Sequence, residues 1–151
     1  MKSPGKVKNL SYSVIKEDYR YRLGADYTDS LTLKIKKGIQ TKLYKLSPKG
    51  TLSIKQAYIW DGATGIPDTT SVFRASLVHD CLYQMMRENG LSTQYRKNAD
   101  KIFYDLCRAD GLNKFVAWLY YLGVRIFGWT CANKTGYQVI RKIRKYRRMV
   151  M

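Results

Sequence analysis

"DGATGIPDTTSVFRASLVHDCLYQMMRENG", residues 61–90, is the stretch in which the chain changes its period. Its first eleven residues are rich in Gly, Pro, Asp and Thr and read as a loop. From Val72 the apolar positions follow a helical spacing, with Leu77, Val78, Leu82, Met85 and Met86 on more than one side, so this helix must be packed around much of its circumference. The spacing predicts a helix over 72–88, with Thr70 or Ser71 as N-cap and Asn89-Gly90 as its stop. Upstream the pattern alternates instead. The segments at 19–23, 31–35, 39–46, 51–54 and 56–60 read as short strands of a small antiparallel sheet, punctuated by Gly24, Gly38 and Pro48-Lys49-Gly50. Downstream, a second helix is expected over 93–109, capped by Ser92 and closed by Gly111, and a third from Asn113 to about Gly128. Connections this short make consecutive helices antiparallel. "TGYQVIRKIRKYRRMV" (135–150) fits a last helix slightly better than a returning strand, through Tyr137, Ile140 and Ile143.

The expected fold is therefore α+β: a small N-terminal antiparallel sheet, an antiparallel core of three helices and a basic C-terminal segment. At 151 residues the chain is one domain, 1–151, with a β-rich part at about 10–60, a loop at 61–71, the helical core at 72–129 and a basic tail at 130–151. Twenty-eight Lys and Arg stand against eleven Asp and Glu, a net charge of +17, and every acid lies between Glu17 and Asp110. Residues 111–151 carry nine basic groups and no carboxylate. Such a segment calls for an anionic partner: nucleic acid, anionic lipid or an acidic protein. Arg141, Lys142, Arg144, Lys145, Arg147 and Arg148 are the candidate contacts. No secretory signal is expected at the N-terminus, and the most apolar run, 115–129, is too short to span a membrane and is interrupted by Arg125. It reads as a buried core helix with the aromatic stripe Phe115, Trp118, Tyr121 and Trp129 inside, interfacial contact with lipid being the alternative. The three cysteines are expected to be reduced thiols; the spacing of His79, Cys81, Cys107 and Cys131 matches no usual zinc-ligand pair.

His79, the only histidine, shares a helical face with Tyr83 one turn on, and Asp80 points about 100° further round. A histidine acting as general base needs one ring nitrogen free and the other donated to a carboxylate. Asp100, on the second helix, is brought opposite His79 by antiparallel packing. Asp80 is then available to hold a hard cation, with carbonyl oxygens of the loop at 60–68 as further ligands of the kind calcium prefers.

These residues carry a resemblance. A loop, then H-D-x-x-Y, then A-D-x-x-F on the next helix is similar to the core of the type A-two phospholipases over about 60–107. Over about 19–129 the chain more closely resembles a family of small proteins of tailed phages and prophages, with D-G-A-[ST]-x-x-P (61–67), H-D-x-[LY]-Y (79–83), R-x-x-A-D-x-x-[FL] (96–103) and an apolar helix ending at Phe127-Gly128. The phospholipase resemblance implies His79 as the base that activates water, Asp100 as the carboxylate orienting it, and Tyr83 as a hydroxyl bonded to that carboxylate. It also implies a calcium ion on Asp80 and on carbonyls around Trp60, Gly62 and Thr64. Leu82 and Ala99 stand where the secreted enzymes carry disulfide cysteines, and the loop holds fewer glycines than theirs. The implied role is a phage-encoded basic protein, a virion or host-directed binding component on a phospholipase-like scaffold, located in the virion or the host cytoplasm. The alternative is a calcium-dependent phospholipase or esterase acting on envelope lipids. Asp61 fits a ligand or, slightly better, an Asx-turn residue, and Arg96 and Lys97 fit phosphate contacts or, more commonly for such pairs, a solvated helix face.

Overall fold

The computed structural model describes residues 10–15, 20–62, 66, 67 and 69–150, the side chains of 144 and 147–150 excepted. Seven short strands precede four helices. Strands β1 (Tyr12–Ile15), β2 (Arg20–Leu23) and β7 (Ile59–Trp60) form one antiparallel sheet in the order β1-β2-β7. Strands β3 (Tyr27–Ser30), β4 (Ile39–Gln40), β5 (Tyr44–Leu46) and β6 (Thr51–Ile54) form a second, in the order β3-β6-β5-β4. The α+β class is as expected, but the β-rich part is two sheets rather than one.

The segment at 31–35 corrects the strand expected there. Leu31, Leu33 and Ile35 are buried in alternation, as a strand would bury them. Their backbone, however, bonds to the turn at 47–50: Leu31 N–H donates to the Gly50 carbonyl at 2.9 Å and Ile35 N–H to that of Pro48 at 3.1 Å. Gly50, at φ +99°, admits this crossing, because a Cβ there would lie 2.4 Å from the Leu31 and Leu33 carbonyl oxygens. The expected strand at 39–46 is likewise broken, since the Thr41 hydroxyl takes the N–H groups of Leu43 and Tyr44 and turns the chain between β4 and β5.

Helix α1 (Thr70–Arg87) starts two residues earlier than expected, with Thr69 as N-cap and no side-chain capping bond. Its stop is a Schellman motif in which Asn89, at φ +59°, takes the left-handed position, Gly90 N–H reaching the Met85 carbonyl and Asn89 N–H that of Met86. A 3-10 turn (Thr93–Tyr95) capped by Ser92 leads into α2 (Arg96–Ala109), which Gly111, at φ +95°, ends in the same way. Asn113 caps α3 (Lys114–Cys131) by accepting from Phe115 and Val116 N–H, and α4 (Lys134–Val150) confirms a helical rather than extended tail.

Each helix packs on the next. The main core lies between the sheets and α1, joining Leu23, Leu46, Leu52, Ile54 and Trp60 to Leu77, Leu82 and Met85. A smaller one holds Val72 and Ala75 of α1, Phe103 and Cys107 of α2, and Ala117 of α3. The aromatic stripe of α3 corrects its expected burial: Phe115, Trp118 and Trp129 are 64%, 48% and 61% exposed, and Tyr121 is half-buried. The helix buries its opposite, small-residue face at Ala117 and Gly128. No single helix among the described residues is long and apolar enough to cross a membrane.

Candidate functional site

Packing α1 against α2 brings three of the expected side chains together. His79 Nε2 lies 2.7 Å from Asp100 Oδ1, and the Tyr83 hydroxyl donates to the same oxygen at 2.6 Å. Asp100 has no exposed surface and His79 very little. The imidazole is held between rings, 4.1 Å from Tyr83 and 5.3 Å from Phe103 between centroids.

The other oxygen of Asp100 is claimed by α3. Arg125 Nη1 donates to Oδ2 at 2.8 Å, and Arg96 Nη1 lies 3.6 Å from it. Burial raises the Asp100 carboxyl, but hydrogen bonds from His79, Tyr83 and Arg125 outweigh it and hold the group below the usual carboxylate range. Asp100 is thus ionised at neutral pH and can only accept. In the neutral imidazole the proton then sits on Nε2, which leaves Nδ1 with its lone pair. Burial pushes the Tyr83 phenol well above its ordinary range, and the charge of Asp100 pushes it further, so it stays a donor.

Arg96 is therefore not a solvated residue as expected; besides approaching Asp100 it donates to the Arg125 carbonyl at 3.1 Å. Lys97 is exposed. Arg125, noted in the sequence only as an interruption, is the functional neighbour that pattern reading misses. A charge inside an otherwise apolar helix must find a partner, and that signal was present at 125.

His79 lines a cavity of about 70 Å³, with Asp61, Asp80, Arg87, Phe103, Val124 and Tyr137 among the other walls. Asp80 Oδ2 accepts the backbone N–H of Asp61 at 3.0 Å. The Asp61 carboxylate in turn takes the hydroxyl of Tyr137 from α4. Arg87 stacks on that tyrosine, its guanidinium carbon 3.8 Å from the ring centroid, and donates to the Cys131 carbonyl at 2.9 Å. Asp61, Arg87 and Tyr137 form a second polar group at the cavity that the sequence reading did not assemble. Tyr137 looked like an apolar position of the tail.

The expected calcium loop is placed in part. Trp60 ends β7 with its indole N–H on Ser76 Oγ at 3.1 Å, Gly62 adopts φ +76°, and Thr64 lies outside the described residues. Asp61 and Asp80 line the same cavity and carry hard oxygen donors of the kind a calcium ion takes. Among the described residues no group of three or more His, Cys, Asp or Glu side chains is arranged to hold a metal ion. Of the basic tail, Arg141, Lys142 and Lys145 are exposed on α4; the side chains of Arg144, Arg147 and Arg148 lie outside the described part.

Residues 14–124 match the family described as a protein of unknown function, DUF1353. The chain belongs to that family. No curated protein and no solved structure matches it. The DUF1353 span runs from within β1 through the remaining strands, α1 and α2 to Val124 of α3. It includes His79, Tyr83, Asp80 and Asp100 and excludes Arg125 and α4.

Proposed function

We propose that this DUF1353 chain is a phage-encoded ester hydrolase of the phospholipase A-two kind, with His79 as its general base. The observation that carries the reading is the 2.7 Å contact between His79 Nε2 and a wholly buried, ionised Asp100, on an imidazole that also lines a cavity. Such a pair fixes the tautomer and stabilises the imidazolium formed when Nδ1 takes a proton. The nucleophile is a water in the cavity. Its oxygen attacks the acyl carbonyl, its proton passes to Nδ1, and the tetrahedral adduct collapses as that proton returns to the departing alkoxide. Arg87 lines the cavity and supplies positive charge near the developing oxyanion. A calcium ion, held by Asp80 with the loop carbonyls at Trp60, Gly62 and Thr64, would add polarisation of the ester carbonyl. None of the steps above depends on it.

The test is release of fatty acid from vesicles or micelles of phospholipid by the purified chain, with calcium and with a chelator. We expect turnover, reduced about 10²–10⁴-fold in His79→Asn. Absence of hydrolysis for every ester tried, with calcium present, would remove this reading.

A second reading has an observation of its own. Asp100 is also paired with Arg125 and approached by Arg96, which neutralise much of the charge that a base would exploit, as in a purely structural polar core. The protein would then be a non-catalytic virion or host-directed component, with α4 meeting nucleic acid, anionic lipid or an acidic phage protein. It predicts that His79→Asn changes stability and leaves partner binding intact.

A further inference from the structure

We propose that α3 and α4 form a docking surface for the anionic face of a lipid bilayer, on which the protein lies without crossing it. On α3 the residues Phe115, Trp118, Leu119, Leu122, Ile126 and Trp129 follow one another at the spacing i, i+3, i+4, i+7, i+11, i+14, a single helical stripe. All but the half-buried Leu122 are between 45% and 64% exposed. The stripe is about 21 Å long at the rise of an α-helix, and contiguous apolar surface of that extent marks an interaction site.

After residues 132 and 133 the chain bends by 113° into α4. That helix is built differently. Val139, Ile143 and Tyr146, 52%, 57% and 71% exposed, make a narrow apolar strip at i, i+4, i+7, and Lys134, Arg141, Lys142 and Lys145 are exposed beside it, with Thr135 and Gln138. A narrow apolar strip on a basic helix is the pattern of a segment that lies in a membrane interface, with tryptophans on the neighbouring helix suited to headgroup depth.

Charge selects this occupant over the others. A second copy would bring two acid-free segments of nine basic groups each against one another. A nucleic acid would satisfy the basic side of α4 but leave the α3 stripe in water. An anionic bilayer answers both the charge and the exposed rings. This inference does not rest on the hydrolase reading, and His79→Asn is expected to bind vesicles like the wild type.

The experiment is flotation of the full chain with vesicles of about one third phosphatidylglycerol in phosphatidylcholine, alongside pure phosphatidylcholine. Binding is expected only to the first, weakened about tenfold in Trp118→Ser/Trp129→Ser and about a hundredfold in Arg141→Gln/Lys142→Gln/Lys145→Gln. These side chains are exposed, and circular dichroism checks that each variant is folded. Lipids with brominated acyl chains give a readout on the unmutated protein. They should quench its tryptophan fluorescence and fail to quench the double variant, which keeps only the buried Trp60. Equal binding to neutral vesicles, binding untouched by the tryptophan changes, or tighter binding to duplex DNA than to anionic vesicles would each overturn the proposal. So would a stable dimer whose tryptophans are not quenched.

Discussion

Asp100 is the residue on which the chemistry turns, because it divides its two oxygens between a candidate base and a cation. Oδ1 serves His79 and Tyr83, and Oδ2 serves Arg125. Asp100→Asn would leave Arg125 and Arg96 facing an amide, and we expect a loss of about 3 kcal/mol, read by urea denaturation near neutral pH. The sign of its pH dependence follows from the direction of the shift. The folded-state carboxyl is held below 3.8, so its contribution is present above that value and is lost as the pH falls through the folded-state value. The gap between wild type and Asp100→Asn should therefore close in strong acid; a gap that widens there would contradict the geometry. The thiols give a second prediction at this scale. Cys81 and Cys107 are wholly buried, and burial pushes the Cys107 thiol up to about 12 and that of Cys81 higher still. Half-buried Cys131 should be modified first by a thiol reagent at mild alkaline pH, with the other two reacting only on unfolding. His79, Tyr83 and Asp100 were legible in the sequence because helical period and a short connection together determine which side chains meet. Arg125 was not assigned, since its partner lies on the preceding helix, 25 residues back, and nothing local names it.

At the scale of the element, Gly128 of α3 sits directly against Tyr83 of α1. A Cβ there would stand 2.5 Å from the Tyr83 hydroxyl oxygen, and Tyr83 is buried and bonded, so it has nowhere to retreat. Gly128→Ala should cost about 1–3 kcal/mol through overpacking and loosen the Tyr83–Asp100 bond. Gly123, on the same helix, has open space where its Cβ would be. Gly123→Ala should instead stabilise by about 0.5–1 kcal/mol, as alanine does in a helix interior. Thermal melts of the two variants, shifting in opposite directions, check both claims. Helices and their ends were readable from the sequence because caps and stops are local: Ser92, Asn113, Asn89-Gly90 and Gly111 act within a few residues of themselves. Strands were less so. The alternation at 31–35 reported burial faithfully but not pairing, because its hydrogen bonds go to a turn some fifteen residues on. Similarly, the apolar pattern of α3 located a helix without saying which of its faces the rest of the chain would cover.

Across the whole molecule, one side chain ties β3 to one end of the α1–α2 pair. Arg74 of α1 makes a two-pronged contact with Asp110 at the end of α2, Nε to Oδ2 at 3.0 Å and Nη2 to Oδ1 at 2.8 Å, and reaches Asp29 of β3 with Nη1 at 3.3 Å. Tyr27 closes the group by donating to Asp29 at 2.7 Å. No sequence pattern joins residues 29, 74 and 110, and the group exists only once the sheet has docked on the helices. The Asp110 side chain has no exposed surface, so removing its partner strands a buried charge. Arg74→Met should cost about 3–5 kcal/mol near neutral pH. Its pH dependence runs the other way from that of a depressed carboxyl. Burial raises the Asp110 carboxyl above 3.8 even with Arg74 pulling it down, and without the guanidinium it must rise further. A raised folded-state value means that stability is retained at low pH and lost as the pH climbs through that value. Arg74→Met should thus recover toward the wild type as the pH is lowered toward 3.8, where Asp110 can be buried neutral. Denaturation curves at several pH values decide it: a deficit independent of pH would mean that Arg74 acts by packing its stem rather than by pairing the acid.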